Sequence, residues 1–182
     1  MGHSADASIK IYAELHDWYD FKMKKFCKAL MNDDYFYREI GGLSFTKKWF
    51  GTRPNEKMVG VVEFSADDRG FWVSQYGIIM LKNLFLGRPS VNLDEAIDEA
   101  IVKADYELLE DFTNETGCMI DITESSFEFG ASRRTVVANG EVLLYEEDKL
   151  DEDGNWTNKD FGKRDASEFF EQWLIKLELS GR

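Results

Sequence analysis

Leu15, Tyr19, Met23, Phe26 and Leu30 recur at steps of four, four, three and four. That spacing lays one apolar stripe along a helix from about Leu15 to Met31. Lys22, Lys24, Lys25 and Lys28 occupy the rest of its surface and form the one basic cluster in the chain. Ser8 to Tyr12 suits either an extension of this helix or a short strand, and helix is the expectation. From Tyr35 to Leu86 the texture changes to aromatic and β-branched stretches separated by turn residues. Leu43 to Phe50, Met58 to Ser65 and Phe71 to Ile79 read as strands, with turns at Thr52-Arg53-Pro54-Asn55 and at Ala66 to Gly70. Short connections predict an antiparallel meander.

Asn92 with Glu95 three residues later forms an N-cap pattern. Leu93, Ile97, Ala100, Ile101, Ala104, Leu108 and Phe112 make the apolar stripe behind it, and Gly117 supplies the stop. The spacing predicts a helix from Leu93 to Glu115. Cys118 to Phe129 alternates as a strand. Thr135 to Ala138 and Glu141 to Tyr145 flank Asn139-Gly140, a strong signal for a two-residue hairpin. Asp151 to Asn155 makes another turn, and a last helix is capped by Asp165, carries Phe169, Phe170, Trp173, Leu174 and Leu177, and ends at Gly181. Helix, strands, helix, strands, helix predicts an α+β fold, an antiparallel sheet of five to six strands with three main helices packed on it.

At 182 residues the chain can bury roughly 70% of the surface its unfolded form exposes. Residues 8–182 read as a single α+β domain and residues 1–7 as a disordered N-terminus. Cys27 and Cys118 lack the spacing of a zinc or redox pair and read as free thiols. Ile78 to Leu86 is the most apolar run, is interrupted by Lys82, and is too short to span a bilayer. No leader pattern opens the sequence, and Asp6 breaks the myristoylation pattern. A cytoplasmic protein without a membrane partner is expected.

Charge changes the picture most. Residues 1–90 hold 13 Lys and Arg against 11 Asp and Glu, and residues 91–182 hold 9 against 24, so the halves carry +2 and −15 of the net −13. Such asymmetry bears on partners and encounter rather than on fold.

Candidate chemistry is sparse. Only His3 and His16 are present, which disfavours a histidine-dependent nucleophile, and neither common glycine-rich phosphate loop occurs. Asp151, Asp153 and Asn155 around Gly154 resemble a calcium loop, but the EF-hand positions for glycine and glutamate fall on Trp156 and Gly162. Turn chemistry is the simpler reading. Asp121 with Glu147 and Lys149 matches the Asp and Glu-x-Lys set of metal-dependent nucleases, in which carboxylates hold magnesium and the lysine orients a water. No cofactor is otherwise implied.

Between Val91 and Glu115 nine acidic residues, among them Asp94, Glu95, Asp98, Glu99 and Asp105, face a single base, Lys103. A continuous helix of about 23 residues would spread them over roughly 34 Å, close to the charge spacing of one DNA strand and half that of a duplex. A second cluster, Glu141, Glu146, Glu147, Asp148, Asp151, Glu152 and Asp153, is opposed only by Lys149. Side by side, the two would form one anionic face. Acidic faces also serve simply as solvated surfaces. The acidic residues of the helix and of Glu141 to Asp153, in a small chain without a catalytic signature, resemble in general character the inhibitors that phages and mobile elements encode against CRISPR and restriction nucleases. That resemblance implies a basic protein partner such as an RNA-guided nuclease, engaged at its DNA-holding surface, with no direct nucleic-acid binding. An immunity protein against a basic toxin, another adaptor, or a homo-oligomer joining basic and acidic halves rests on the same physics.

Overall fold

Alternation governs the first strand. Ala7, Ile9, Ile11 and Ala13 are buried while Ser8 and Lys10 between them are half-exposed, the period of two that defines a strand with one face on a core. A computed structural model describes residues 5–33, 40–52, 54–67, 76–88, 95, 98, 103, 105–126 and 129–181. In it Ala5–Leu15 is strand β1, paired along both edges. The helix expected over Ser8 to Tyr12 is therefore corrected, and Ala5 to Ala7, expected to be disordered, are paired strand. Pairing on both sides outweighs the weak helical reading because Ile9 and Ile11, both β-branched, are each fully buried.

The sheet has six strands in the order β2-β3-β1-β4-β5-β6, and every neighbouring pair is antiparallel. The remaining strands are β2 (Ile40–Phe50), β3 (Lys57–Asp67), β4 (Met119–Ser126), β5 (Ala131–Ala138) and β6 (Glu141–Lys149). The predicted hairpin of β2 and β3 forms, and the third strand expected over Phe71 to Ile79 is corrected over its described part, Tyr76 to Ile79. Residues 71–75 lie outside the described set, and Tyr76–Phe85 is helix α2. Ile78, Ile79, Met80 and Leu81 are consecutive and all buried. A run buried on every side carries no period, so a short apolar stretch reads equally well as strand or helix.

Helices α1 (Asp17–Asn32), α2 and α3 (Asp105–Thr116) cover one face of the sheet. Met23, Phe26 and Leu30 of α1 and Leu108, Leu109 and Phe112 of α3 pack there against Ile9, Ile11, Phe64 and Ile120. The other face holds a second core under a 3-10 turn (Ala166–Phe169) that runs into α4 (Phe170–Leu179). Asp165 caps this element by accepting the Ser167 N–H, as its sequence predicts. Phe170 lies edge-on to Tyr12, Phe50 and Trp173 at 5.2, 5.4 and 5.8 Å. Trp173 is fully buried and its indole donates to the Gly117 carbonyl at 3.1 Å. The molecule is an α+β fold with helices on both sides of one antiparallel sheet. No helix among the described residues is long and apolar enough to cross a membrane.

The hairpin between β5 and β6 forms as expected, with φ of 52° at Asn139 and 73° at Gly140, the pair of positive values a type I′ turn requires. Its tertiary role was not visible in advance. Gly140 N–H donates to Thr113 Oγ1 of α3, while Asn139 Nδ2 donates to the Trp173 carbonyl of α4. One turn thus ties together helices from opposite faces. A side chain at Gly140 would also run into the Asn114 amide at 2.5 Å.

The long acidic helix does not form as one rod. Glu95 and Asp98 are helical and exposed, Lys103 lies in a bend, and α3 begins at Asp105. Lys103 Nζ reaches Asp111 at 2.7 Å. In an unbroken helix those residues would sit about 12 Å apart along the axis, so the bend is what brings them together.

Candidate binding surfaces

The acidic residues of β6 and the following turn are largely engaged in holding the chain. Asp148 is buried, and its Oδ1 accepts the backbone N–H groups of Thr157 and Asn158 at 3.0 and 2.7 Å. Glu146 Oε2 accepts from Gly162 N–H at 2.8 Å, and its Oε1 lies 4.0 Å from Arg134 Nη1. Asp151 Oδ1 accepts from Asp153 and Asn155 N–H, both at 2.9 Å. That is turn chemistry, with the carboxylate facing its own loop. Glu152 and Asp153 are exposed at its tip. A buried carboxylate must find donors, and here backbone amides of residues 153–162 supply them.

Strand parity splits the rest of that cluster. Arg134 is opposite Glu146 and Arg133 opposite Glu147 in the β5–β6 register, and directly opposed residues share a face. Glu146 therefore lies on the α4 side and Glu147 on the side of α1 to α3. The single anionic face expected from Glu146, Glu147 and Asp148 is corrected on this ground. The same parity separates the nuclease-like set. Asp121 pairs with Arg134 on the α4 side, whereas Glu147 and Lys149 alternate onto the other side, so Asp121 and Glu147 cannot hold one metal between them. Of the helix residues, Glu95 and Asp98 are exposed, Asp105 opens α3, and Asp94 and Glu99 lie outside the described residues. Farther along, Glu115 is paired with Lys82 at 2.6 Å and Arg88 at 3.4 Å. Partial burial pushes its pKa up, but the Lys82 hydrogen bond and both positive charges outweigh that and hold it below the ordinary value.

Two concavities lie on opposite faces. The first, about 470 Å³, runs between α3 and the β5–β6 edge and is lined by Tyr106, Leu109, Ile122, Thr135, Val142 and Tyr145, with Glu124 and Arg133 at one side. Among the described residues α3 packs more on β5 than on β6, and Val142 and Tyr145 of β6 stay about half exposed beside it. Tyr106 and Tyr145 are each 53% exposed and Val142 44%. Glu124 is buried and accepts from Arg133 Nε at 3.1 Å. Tyr145 donates to Glu147 Oε1 at 2.6 Å. Burial and that acceptor both raise the phenol pKa, so it remains a donor. Glu110 stands one turn after Tyr106 on α3. Neither Glu110 nor Glu147 makes an ion pair with a described residue.

The second concavity, about 320 Å³, is polar and lies between β1, β4, β5 and the chain from Gly162 to Ala166. Arg134 forms its floor, bidentate to Asp121 with both bonds 3.0 Å, and its Nη1 donates to the Arg164 carbonyl at 2.7 Å. Both side chains are 6% exposed. Burial works to lower the guanidinium pKa, but Asp121 more than compensates and raises it. Tyr12, Lys10, Ser8 and Thr123 stand beside this pair.

The sequence reading missed Tyr106, Val142 and Tyr145 as a surface and Lys10, Tyr12 and Arg134 as a cleft. Aromatic residues on a predicted strand and helix look like core until the fold shows which of them stay exposed, as Tyr106 and Tyr145 do. Comparison with family models, with curated proteins and with solved structures returns no match to this chain.

Proposed function

We propose that this chain is an inhibitory binding protein that docks on a basic surface of another protein, of the kind with which a nuclease holds nucleic acid. The observation that carries the reading is the groove beneath Tyr106 and Tyr145, an exposed apolar surface within the half of the chain that holds 24 acidic against 9 basic residues. Exposed tyrosines around an apolar groove supply contact area at low entropic cost, and such anchors dominate interface energetics. Glu110 and Glu147 at its rim favour a cationic partner and accelerate encounter with one. Cys27 and Cys118, neither of them in a disulfide, suit a reducing compartment such as a cytoplasm. An RNA-guided effector or a restriction nuclease supplies the required positive channel.

The proposed contact is not strand mimicry. Carboxylates engaged by backbone amides and a helix bent at Lys103 do not provide a line of charge that imitates a nucleic-acid strand. The fit is instead an aromatic centre with an acidic rim. Pull-down against a panel of CRISPR effectors and restriction nucleases at low and high salt tests it. A salt-sensitive partner is expected, with binding weakened about 30-fold or more by Tyr106→Ala combined with Tyr145→Ala. Glu110→Lys with Glu147→Lys should slow association more than it speeds dissociation. A partner indifferent to both pairs of changes, or none in the panel, would sink the proposal.

A further inference from the structure

The polar cleft has a character opposite to that of the chain around it. Its lining carries Lys10, Arg134, Lys163 and Arg164 against Asp121 and Asp165, a surplus of two positive charges in a protein of net charge −13. Both carboxylates are already engaged, Asp121 by the Arg134 fork and Asp165 by the Ser167 N–H. Arg164 stacks on Phe169 and reaches Glu168 at 3.5 Å. The ammonium groups of Lys10 and Lys163 make no ion pair with a described residue. Glu63, directly opposite Lys10 in the β1–β3 register, is exposed to solvent and forms no salt bridge with it.

Tyr12 is the most informative residue in the cleft. It is 6% exposed, its ring is fixed edge-on to Phe170, it lines the cleft, and its hydroxyl has no hydrogen-bond partner among the described residues. Buried hydroxyls are ordinarily satisfied, so an unpaired one on a residue that lines a cavity marks a place for an acceptor. Burial, then the Asp121 and Asp165 carboxylates, raise its pKa far above the ordinary value, so the phenol stays a donor. Ser8 and Thr123 add two more hydroxyls at the same wall. All of these groups donate, and two of them bring unneutralised positive charge.

We propose that this cleft is a binding site for a phosphate monoester, with Lys10, Lys163 and the Tyr12 hydroxyl as its principal donors. A phosphate monoester carries close to two negative charges and three acceptor oxygens near neutral pH, which matches the charge surplus and the number of free donors. The size agrees, since about 320 Å³ lies at the small end of ligand pockets. Arg134 acts as a positioning residue, because Asp121 and the Arg164 carbonyl hold its guanidinium and, through it, the Gly162 to Ala166 wall. The site lies across the sheet from the groove and stands or falls independently of the partner-binding reading.

Titration calorimetry of the full chain with inorganic phosphate and with a nucleoside 5′-monophosphate tests the proposal. Saturable binding is expected, weakened about tenfold or more by Lys10→Met and several-fold by Tyr12→Phe, as for lost hydrogen bonds to a charged group. Lys176→Met, on the far side of α4 and paired with Glu141, should leave it unchanged. Equal affinity for both probes assigns the site to the phosphate group itself, and tighter binding of the ester assigns it to an organophosphate. Tyr12→Phe keeps the buried ring, so an unfolded Lys10 variant would not remove the test. Absence of saturable binding, or binding indifferent to both substitutions in folded variants, would overturn it.

Discussion

Arg133 and Arg134 are neighbours in β5, yet they serve opposite faces of the sheet and make ion pairs of different kinds. Arg134 points toward α4, where it and Asp121 are both 6% exposed and meet through two parallel hydrogen bonds. Arg133 points to the groove beside α3, 30% exposed, and meets the buried Glu124 through its Nε. The first pair is sealed and fixes a wall of the polar cleft. The second is open to water along one side and belongs to a surface built for contact. One sheet therefore presents two chemistries, and the side on which each residue lies follows from whether its position in the strand is odd or even.

The sharpest way to break the contrast is to remove each arginine in turn. Arg134→Met removes the cation hydrogen-bonded to the buried Asp121 carboxylate, which should cost about 3–5 kcal/mol in urea unfolding. Arg133→Met leaves Glu124 beside a groove that water enters, and a smaller loss of about 1–3 kcal/mol is expected. Equal losses would show that the two pairs are equivalent. Adding Asp121→Leu to Arg134→Met should recover most of the stability, since an apolar pair of similar volume avoids desolvating two charges.

Asp148→Ala sharpens the comparison at one remove. It strands two backbone N–H groups, at Thr157 and Asn158, for about 1–3 kcal/mol. Hydrogen exchange should rise over residues 157–164, next to the polar cleft, while the amides around the groove keep their protection. Exchange that rises equally on both faces would contradict separate walls.

The smallest effect is in acid. Glu115, in the last turn of α3, is held below its ordinary pKa by Lys82 and Arg88 against the effect of burial, and Asp165, by the cleft, is held below its own by the Ser167 amide. For both groups the unfolded chain binds protons first as pH falls. The stability they contribute is therefore complete at neutral pH and fades from about pH 4 downward. Glu115→Gln and Asp165→Asn should each flatten the fall in Tm between about pH 5 and pH 3. An unchanged slope in both variants would remove these groups as its source.

Much of the fold was legible from local rules. The stripe of Met23, Phe26 and Leu30, the Asn139-Gly140 turn and the Asp165 cap each follow from a spacing or a backbone preference confined to a few residues. Together with the strand alternation they determine an α+β chain, and the count of charges determines that its second half is acidic. Other features depend on what covers what. Whether Ser8 to Tyr12 pairs as an interior strand of the sheet, whether Ile78 to Leu81 coil into a helix, and whether Tyr106 and Tyr145 face core or solvent are set by distant partners. Charge shows the same division. The sequence determined how many carboxylates there are, and only the tertiary structure decided that Asp148 binds amides, Asp121 binds Arg134 and Glu147 remains at a rim, because a carboxylate's role depends on which donors the fold brings within hydrogen-bond reach.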